Sequence, residues 1–420
     1  MKNIFKLLAF LPLLTACDDL FEPALENNRD LEAMYKEPSY AQGILANAYI
    51  ILPYETSPTS DLATDDAVTN EISSNYLRMA TGSWTANNNP VSQWQNRFNA
   101  IQYINLFLEN VDKVEWAKDE RISTMFLDRL KGEAYGLRAL HMYYLLRAHG
   151  GKIADGTLMG VPIILKSEGP DADFNHARAT YSDCVKQIME DADKAIELLP
   201  LDYKKFADSE IPEKYKNIGV TNASDYRRVC GEEYRGLMSG RIALAVRAQT
   251  ALLAASPAFQ SGSGMTWEQA ADYAAEIIEK ANGGGGCGLD ADGLEWYTLA
   301  DKDYGTGGSP AEVIWRSSTD DNNTLETANF PPSLYGNGRV NPTQNLVDAF
   351  PMANGYPISE TSGNYDAENP YDNRDPRLAK YILFNGSTFK EKAIITGTYP
   401  DADNKQDNNL NQLNTSTRTG

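Results

Sequence analysis

Residues 129–151, RLKGEAYGLRALHMYYLLRAHGG, are the stretch of the chain that decides its fold. Mostly apolar residues recur in it at alternating steps of four and three, which is the spacing of one helical face. This face consists of Leu130, Ala134, Leu137, His141, Tyr144 and Ala148. Gly150 and Gly151 then predict the end of the helix, because glycine readily adopts the positive φ angles of a helix C-terminus.

A second helix is predicted over residues 181–199, where apolar residues repeat at the same spacing and Pro200 stops the pattern. Two helices with one apolar stripe each must bury these stripes against one another or against further helices. The same reasoning predicts helices over residues 38–52, 91–114, 240–259 and 266–282. Thr266 and Gln269 have the spacing of a helix N-cap. The expected fold is therefore mainly α, with three tetratricopeptide-like helix pairs.

The segments between and after these helices are less regular. Residues 54–90 and 200–235 show little hydrophobic periodicity, and beyond residue 283 Gly, Asn, Asp and Pro become dense. That last region contains a β-like piece, EVIWRSS at 312–318, and a short helix predicted over 342–350. We therefore expect a signal peptide at 1–16, a lipidated tether at 17–37, a helical region at 38–282 and a loop-rich region with short strands at 283–420.

The chain is strongly acidic. It has 58 Asp and Glu against 38 Lys and Arg, a formal net charge of -20. Such a charge repels the phosphate backbone of nucleic acids as well as anionic lipid surfaces. The composition therefore predicts that nucleic acid is not a partner.

The N-terminal residues are typical of a bacterial lipoprotein. Lys2 and Lys6 precede or interrupt an apolar run that is too short to span a bilayer and ends in Leu-Thr-Ala-Cys17. This ending resembles a lipobox, in which cleavage before the cysteine leaves a lipidated thiol. Asp18 and Asp19 resemble the acidic export signal of Bacteroidetes surface lipoproteins. We expect Cys17 to anchor the protein to the outer membrane, facing the cell exterior.

The remaining cysteines and acidic residues do not predict a metal site. Cys184, Cys230 and Cys287 are odd in number, and their pairing stays open, although Cys184 lies in a predicted helix and is expected to be an inert packed residue. Residues 401–404, DADN, have a trace of a calcium loop but lack its later ligands and glycine. A calcium ion there stays open, and no other cofactor is expected.

No motif predicts catalysis. Residues 283–288, GGGGCG, match a dinucleotide motif in letters only, since a helix precedes them and none follows. The acid doublets Asp65-Asp66, Glu232-Glu233 and Asp320-Asp321 arise freely in so acidic a chain. His141 is expected to be a packed, hydrogen-bonded core residue. The sequence therefore predicts a protein that is not an enzyme.

Aromatic residues in polar segments predict a ligand-binding surface instead. A large ring exposed to solvent needs a reason, and sugar rings stack their C–H faces on Trp and Tyr. Asn and Asp side chains nearby can bind the sugar hydroxyls. By contrast, Trp94 and Trp315 lie in patterned segments and are expected in the core. The predicted ligand-binding residues are Asp65, Tyr76, Trp84, Asn87, Trp296 and Tyr335.

Several segments together resemble the SusD/RagB family of nutrient-binding outer-membrane lipoproteins. They are the lipobox at Cys17, GEAYGLRALHMYYLLRAHGG (132–151) with GVPII (160–164), ARATYSDCVKQIMEDADKAIELLP (177–200), the helix that starts at Gly240, NPTQNLVDAFPMANGYPI (341–358) and NPYDNRDPRLAKYILFNG (369–386). The resemblance implies a SusD-like fold with four tetratricopeptide-like helix pairs. It also implies that the protein captures glycan and delivers it to a SusC-like TonB-dependent transporter.

Two points of this resemblance stay open. Only three helix pairs are found in this chain, so it is expected to be truncated at its C-terminal end relative to the family. The ligand could also be a peptide, as for RagB-like members. Outside this resemblance, the sequence also leaves open a surface glycoside hydrolase and a tetratricopeptide scaffold that binds only proteins.

Overall fold

The structure, a computed structural model, describes residues 35–54, 60–85, 87–281, 313–316, 322–331 and 334–394. Its helices are α1 (Pro38–Ile50), α2 (Asn75–Ala80), α3 (Trp94–Asn110), α4 (Glu120–His149), α5 (Tyr181–Leu198), α6 (Glu213–Lys216), α7 (Ala223–Cys230), α8 (Gly240–Ala255), α9 (Gln260–Ser263), α10 (Trp267–Ala281), α11 (Thr324–Asn329), α12 (Gln344–Ala349) and α13 (Pro376–Tyr381). Its strands are β1 (Ala67–Thr69), β2 (Gly151–Lys152), β3 (Leu158–Met159), β4 (Val340–Pro342), β5 (Thr388–Phe389) and β6 (Lys392–Ala393). The fold is mainly α, as predicted.

The chain forms two compact units. The first unit consists of the described residues within Met1–Leu52, Asn96–Leu146 and Gly150–Ile277. The second consists of those within Pro53–Gln95, Arg147–His149 and Ile278–Gly420. Residues 53–95 therefore belong to the same unit as the C-terminal residues. Their position in the sequence did not predict this grouping.

Helix α4 is the centre of the first unit. It begins nine residues before the quoted stretch, where the Asp119 side chain accepts a hydrogen bond from the backbone N–H of Arg121 and so caps the first turn. The predicted face is buried, apart from the half-buried Ala148 at its end. Burial extends around the whole helix from residue 136 to residue 146, so α4 has neighbours on every side there rather than on one stripe.

The predicted reason for the end of α4 was wrong. Gly150 has φ -75° and ψ 149°, and neither Gly150 nor Gly151 has a positive φ. Glycine is required at position 150 by close packing, because a Cβ there would lie 2.6 Å from the carbonyl oxygen of Leu146 and 2.9 Å from the Tyr181 ring. The helix ends on an extended residue, at a place where only a residue without Cβ fits.

Helices α5, α8 and α10 are close to their predicted bounds. Thr180 caps α5 and Ser239 caps α8, each by accepting a backbone N–H three residues on. At the start of α10, Thr266 and Gln269 exchange side chain to backbone hydrogen bonds at 3.0 and 3.2 Å, which confirms the predicted N-cap. The predicted apolar stripe of α5 is buried throughout.

Residues 200–235, which had no clear periodicity, contain a second hydrophobic cluster of the first unit. Short helices α6 and α7 and the turns around them bring aromatic and aliphatic side chains together with two residues of α4. The members of this cluster are Ile122, Met125, Tyr203, Phe206, Ile211, Tyr215, Val220, Tyr226, Val229 and Cys230. Tyrosines whose hydroxyls reach hydrogen-bond partners allow a polar-looking sequence to form a packed core.

The second unit is irregular, with short strands. Residues 60–63 form a 3-10 turn, β1 follows, and β1 pairs antiparallel with β4 in the register Ala67↔Pro342 and Thr69↔Val340. The short helix predicted over 342–350 is α12, capped by Thr343. The strand predicted in EVIWRSS is absent from its described part, residues 313–316.

The two tryptophans that were predicted in the core, Trp94 and Trp315, differ in how far they are buried. Trp94, at the start of α3, is 42% exposed, so that prediction was wrong. Its ring meets the edge of the His149 ring at 5.4 Å, and His149 accepts the backbone N–H of Gln93. Trp315 is half-buried against the edge of Tyr54.

Within the described residues, no helix is long and apolar enough to cross a bilayer.

Candidate functional site: the loops of the second unit

The predicted ligand-binding residues that the structure describes all belong to the second unit, in the loops around β1 and β4 and in or after α2. Asp65 lies just before β1 with its side chain exposed. The backbone carbonyl of Asp65 accepts the Thr343 hydroxyl, and the carbonyl of Asp66 accepts the Thr343 N–H at 2.8 Å. The pairing of β1 with β4 therefore holds Asp65 beside a segment almost 280 residues away.

The side chain of Asn70 forms hydrogen bonds to the segment that follows Tyr335. Its side-chain amide donates to the carbonyl oxygens of Asn337 and Gly338 at 2.9 and 3.0 Å. Its side-chain oxygen accepts Nη1 of Arg339 at 3.0 Å. Since one asparagine uses both ends of its amide, the backbone from 337 to 339 has a single position relative to β1.

Tyr335 is held out in solvent by a strained backbone. Its side chain is 83% exposed and its φ is 65°, the left-handed region that side chains other than Gly, Asn and Asp rarely adopt. The next residue, Gly336, passes so close to Phe330 that a Cβ would lie 2.0 Å from its carbonyl oxygen. The close approach to Phe330 therefore accounts for this conformation, and such strain is found preferentially at functional sites.

Trp84 and Asn87 lie on a tight turn that follows α2. Thr85 and Asn88 exchange backbone hydrogen bonds at 3.0 and 3.3 Å, which places Asn87 at the tip of the turn. Ser83 bonds back to the carbonyl of Arg78 through both its N–H and its hydroxyl. These bonds fix the backbone on both sides of Trp84, whose ring is 46% exposed.

The remaining predicted residues differ in position. Tyr76 is half-buried on α2, so only part of its ring is available to a ligand. Trp296 lies outside the described residues, as do Cys17 and Cys287. Asp65 and Tyr335 lie on segments joined through β1 and β4. Among the described residues, no hydrogen bond or ring contact joins Trp84 or Asn87 to Tyr335.

Sequence reasoning missed the β5–β6 hairpin beside Tyr335. The ammonium of Lys392 lies 5.7 Å from the centre of the Tyr335 ring, and Phe389 packs edge-on against Phe330 at 5.4 Å. The hairpin turn is Lys390-Glu391 and both residues have positive φ, where Asn-Gly is the usual sequence. Because that turn signal is missing, no local pattern predicted a hairpin here.

The buried histidine His141 and the buried cysteine Cys184 lie in the first unit and have structural partners. His141 accepts Nη1 of Arg97 on Nδ1 and donates from Nε2 to the carbonyl of Ala48, both at 3.1 Å, which confirms the predicted core histidine. Burial, aided by the Arg97 charge, lowers the pKa of His141 to about 3. Cys184 is buried and unpaired, and burial raises the pKa of its thiol.

Glu133 is another buried group of α4. It accepts the Tyr49 hydroxyl at 2.7 Å and lies 3.5 Å from Nη1 of Arg129, and burial raises its pKa above the ordinary value. Tyr49 in turn accepts the backbone N–H of Met238. In the part of the chain that the structure describes, no group of three His, Cys, Asp or Glu side chains could hold a metal ion.

Comparison with known families matches most of the chain. A SusD-like family model described as starch-binding and associating with the outer membrane matches residues 25–214. The SusD family model matches residues 311–420. These ranges hold 190 and 110 residues, together 300 of the 420. A search of curated proteins found no match.

Solved structures share the fold. A SusD-like protein from Bacteroides fragilis has 18% identity and a TM-score of 0.61, over 92% of this chain and 69% of that one. A SusD-like carbohydrate binding protein from Bacteroides fragilis has 20% identity and a TM-score of 0.60, over 89% and 64%. A SusD superfamily protein from Bacteroides vulgatus has 18% identity and a TM-score of 0.51, over 75% and 62%. This chain thus spans roughly two thirds of their length.

The matched family models cover the central helices as well as the C-terminal segments, and the shared fold extends over most of the chain. The matched ranges include residues 132–151, 160–164, 177–200, 341–358 and 369–386, which resemble this family in sequence. The chain therefore belongs to the SusD/RagB family.

Proposed function

We propose that this protein is a cell-surface lipoprotein that binds oligo- or polysaccharide and delivers it to a SusC-like TonB-dependent transporter of the outer membrane. The observation that carries the proposal is the pair of exposed rings, Trp84 and Tyr335, held on rigid backbone in the loops of the second unit. An aromatic ring fixed in solvent offers a flat apolar face to a sugar at little entropic cost on binding.

Polar side chains of the same unit suit a sugar ligand. Asn87 at the tip of its turn and the exposed Asp65 carboxylate can bind hydroxyl groups, which need both donors and acceptors. The proposed ligand-binding set is therefore the predicted one, with Trp84, Asn87, Asp65 and Tyr335 as the main contacts. Tyr76 contributes its exposed part and Trp296 is included from its sequence context alone.

The protein acts by binding and not by catalysis in this proposal. His141, whose pKa burial strongly lowers, is packed inside the first unit and faces structural partners. A glycoside hydrolase would need two carboxylates on either side of a scissile bond. Asp65 and Asp66 are adjacent and exposed, and their backbone carbonyls are used in pairing with Thr343.

The anchor and the domain division belong to the same proposal. Cys17 carries the lipid, residues 1–16 are the leader and residues 17–37 are the tether that holds the protein on the outer face of the membrane. The helical region 38–282 and the loop-rich region 283–420 follow. The description of the matched family, associating with the outer membrane, supports this location.

The test is affinity gel electrophoresis of residues 18–420 through a panel of plant, host and microbial polysaccharides. Trp84→Ala is compared with Trp267→Ala, since Trp267 is 48% exposed on α10 and Trp84 is 46% exposed. We expect one glycan to retard the protein and the Trp267→Ala variant equally. Trp84→Ala should bind about tenfold more weakly, as typical for loss of a stacked ring.

Other outcomes decide against the proposal. Release of reducing sugar from the retarding glycan would make the protein a hydrolase. No retardation of folded protein by any glycan, together with binding of a peptide library, would favour a RagB-like peptide ligand. If the glycan retards both tryptophan variants as strongly as the native protein, the binding site does not include Trp84.

A further inference from the structure

Helix α2 ends in a Schellman motif, a pair of backbone hydrogen bonds around one left-handed residue. That residue is Gly82, with φ 69°. The Gly82 N–H donates to the carbonyl of Met79 at 3.0 Å, and the Ser83 N–H donates to the carbonyl of Arg78 at 2.9 Å. The left-handed residue ends the helix and sets the direction in which the chain continues into Trp84.

Two hydroxyl groups reinforce this helix end. The Ser83 hydroxyl donates to the carbonyl of Arg78 at 3.2 Å, as the Ser83 N–H also does. The Thr81 hydroxyl donates to the carbonyl of Leu77 at 2.8 Å and lies 3.1 Å from the Ser83 hydroxyl. Because the last carbonyls of a helix lack partners within it, these bonds tie residues 81–83 to the last turn of α2.

The position of the Trp84 ring depends on this helix end. Among the described residues, no hydrogen bond or aromatic contact joins the Trp84 ring to another side chain. None of the six residues of α2 is fully buried, and Ser74 makes no capping hydrogen bond at the start of the helix. Since so short a helix is unstable on its own, the bonds around Gly82 supply much of the order at Trp84.

Gly82 is required for its conformation and not for its small size. A Cβ at this position would meet no atom within 4 Å. The left-handed conformation nevertheless opposes alanine, because the Cβ of an L-residue crowds the following carbonyl oxygen. Asparagine tolerates this conformation better than other side chains do. Alanine and asparagine therefore differ in backbone preference at a position where a Cβ has room.

We propose that Gly82 is a positioning residue for glycan binding, because its left-handed backbone holds the Trp84 ring where the sugar stacks on it. Gly82 has no side chain with which to contact the sugar. It acts through the hydrogen bonds of the helix end and through Trp84. This inference rests on the proposed glycan-binding function and assigns the residue on which the presentation of its aromatic ring depends.

Isothermal titration calorimetry of the full-length chain tests this role. The probes are amylopectin, xyloglucan, galactomannan and hyaluronan, and the one that binds the native protein most tightly is used for every variant. Gly82→Ala should bind it about fivefold more weakly, because alanine populates the left-handed turn less than glycine does. Gly82→Asn should stay within about twofold of the native affinity, because asparagine keeps the turn.

Gly156→Ala is the matched control. Gly156 lies between β2 and β3 in the first unit and has φ 86°. As at Gly82, a Cβ there would meet no atom within 4 Å. This variant carries the same kind of backbone strain at a position outside the proposed site, so its glycan affinity should stay native. Circular dichroism verifies that each variant is folded.

A double-mutant cycle separates positioning from a general loss of structure. In the Trp84→Ala background, Gly82→Ala should weaken binding by less than about 1.5-fold, since the ring that Gly82 positions is absent. A structural role that is independent of Trp84 would instead lower the affinity equally in both backgrounds.

The outcomes separate this inference from the function on which it rests. Native affinity in Gly82→Ala, or an equal loss with and without Trp84, would overturn the positioning role and leave the glycan-binding function intact. Binding by Gly82→Asn that is as weak as that of Gly82→Ala would also overturn it, as would an equal loss in Gly156→Ala. If the folded native chain binds none of the four polysaccharides, the glycan-binding function and this inference are both wrong.

Discussion

Arg138 and Asp191 form a buried, two-pronged ion pair between α4 and α5. Nε and Nη2 of Arg138 donate to the two carboxylate oxygens of Asp191 at 2.7 and 2.8 Å, and both side chains are buried. Nη1 of Arg138 donates to Asn105 of α3, whose amide donates to the carbonyls of Ile164 and Lys166. One arginine thus ties three helices and a loop together.

Removing one partner of this pair should be costly. Arg138→Met leaves the Asp191 carboxylate buried without its cation, so we expect the free energy of unfolding to fall by about 3–5 kcal/mol. Arg138→Met combined with Asp191→Leu should recover most of that loss, because no buried charge remains. Urea denaturation followed by circular dichroism measures both. Equal losses in the single and double variants would contradict the assigned role of the ion pair.

Adjacent glycines at the end of α4 should respond differently to alanine. Gly150→Ala places a Cβ 2.6 Å from the Leu146 carbonyl oxygen, and the backbone must shift, at a cost of about 1–3 kcal/mol. Gly151→Ala meets no atom within 4 Å and has no positive φ, so it should leave the stability within about 0.5 kcal/mol of the native value. Thermal unfolding of the two variants provides a matched comparison.

His141 should make the protein less stable in acid. Its pKa is about 3 in the folded chain because it is buried beside Arg97, against an ordinary value of 6.5. The unfolded chain therefore takes up this proton at a higher pH than the folded chain, and the stability contributed by His141 is lost as the pH falls from 6.5 towards 3. Between pH 6.5 and 4.5 the loss should be about 2 kcal/mol.

Urea denaturation at these pH values measures the effect. His141→Gln should reduce the difference in unfolding free energy between pH 6.5 and pH 4.5. If the variant keeps the native difference, the acid sensitivity has another origin.

Tyr335→Gly should stabilise the fold and weaken glycan binding. Glycine adopts φ 65° without the steric cost of about 1–2 kcal/mol that a tyrosine carries there, so the free energy of unfolding should not fall and is expected to rise. Tyr356→Gly is the control, since Tyr356 is 48% exposed without a positive φ and should lose stability. Affinity electrophoresis should show weaker binding only for Tyr335→Gly. A loss of stability in that variant would contradict the strain argument.

Some parts of the candidate site could be predicted and others could not. Trp84 and Tyr335 stood out because large rings in polar segments are unusual, and Asn87 stood out as a polar neighbour of Trp84. The structure does place these side chains in solvent. Lys392 and Asn70 carried no such signal, since single lysines and asparagines are common in loops. Trp94 was assigned to the core because it fits the periodicity of α3, yet it lies in the first turn of that helix and is 42% exposed.

The longer helices follow from the sequence alone, because periodic apolar residues and capping side chains act over a few neighbouring positions. The central helix α4, the stripe of α5 and the Thr266–Gln269 cap were all readable in this way. Three relationships emerged only from the tertiary structure: the pairing of residues 67–69 with residues 340–342, the packing of Gly150 against Leu146 and Tyr181, and the place of Lys392 beside Tyr335. These relationships join residues far apart in the chain or depend on side-chain contacts, and no local pattern of spacing encodes them.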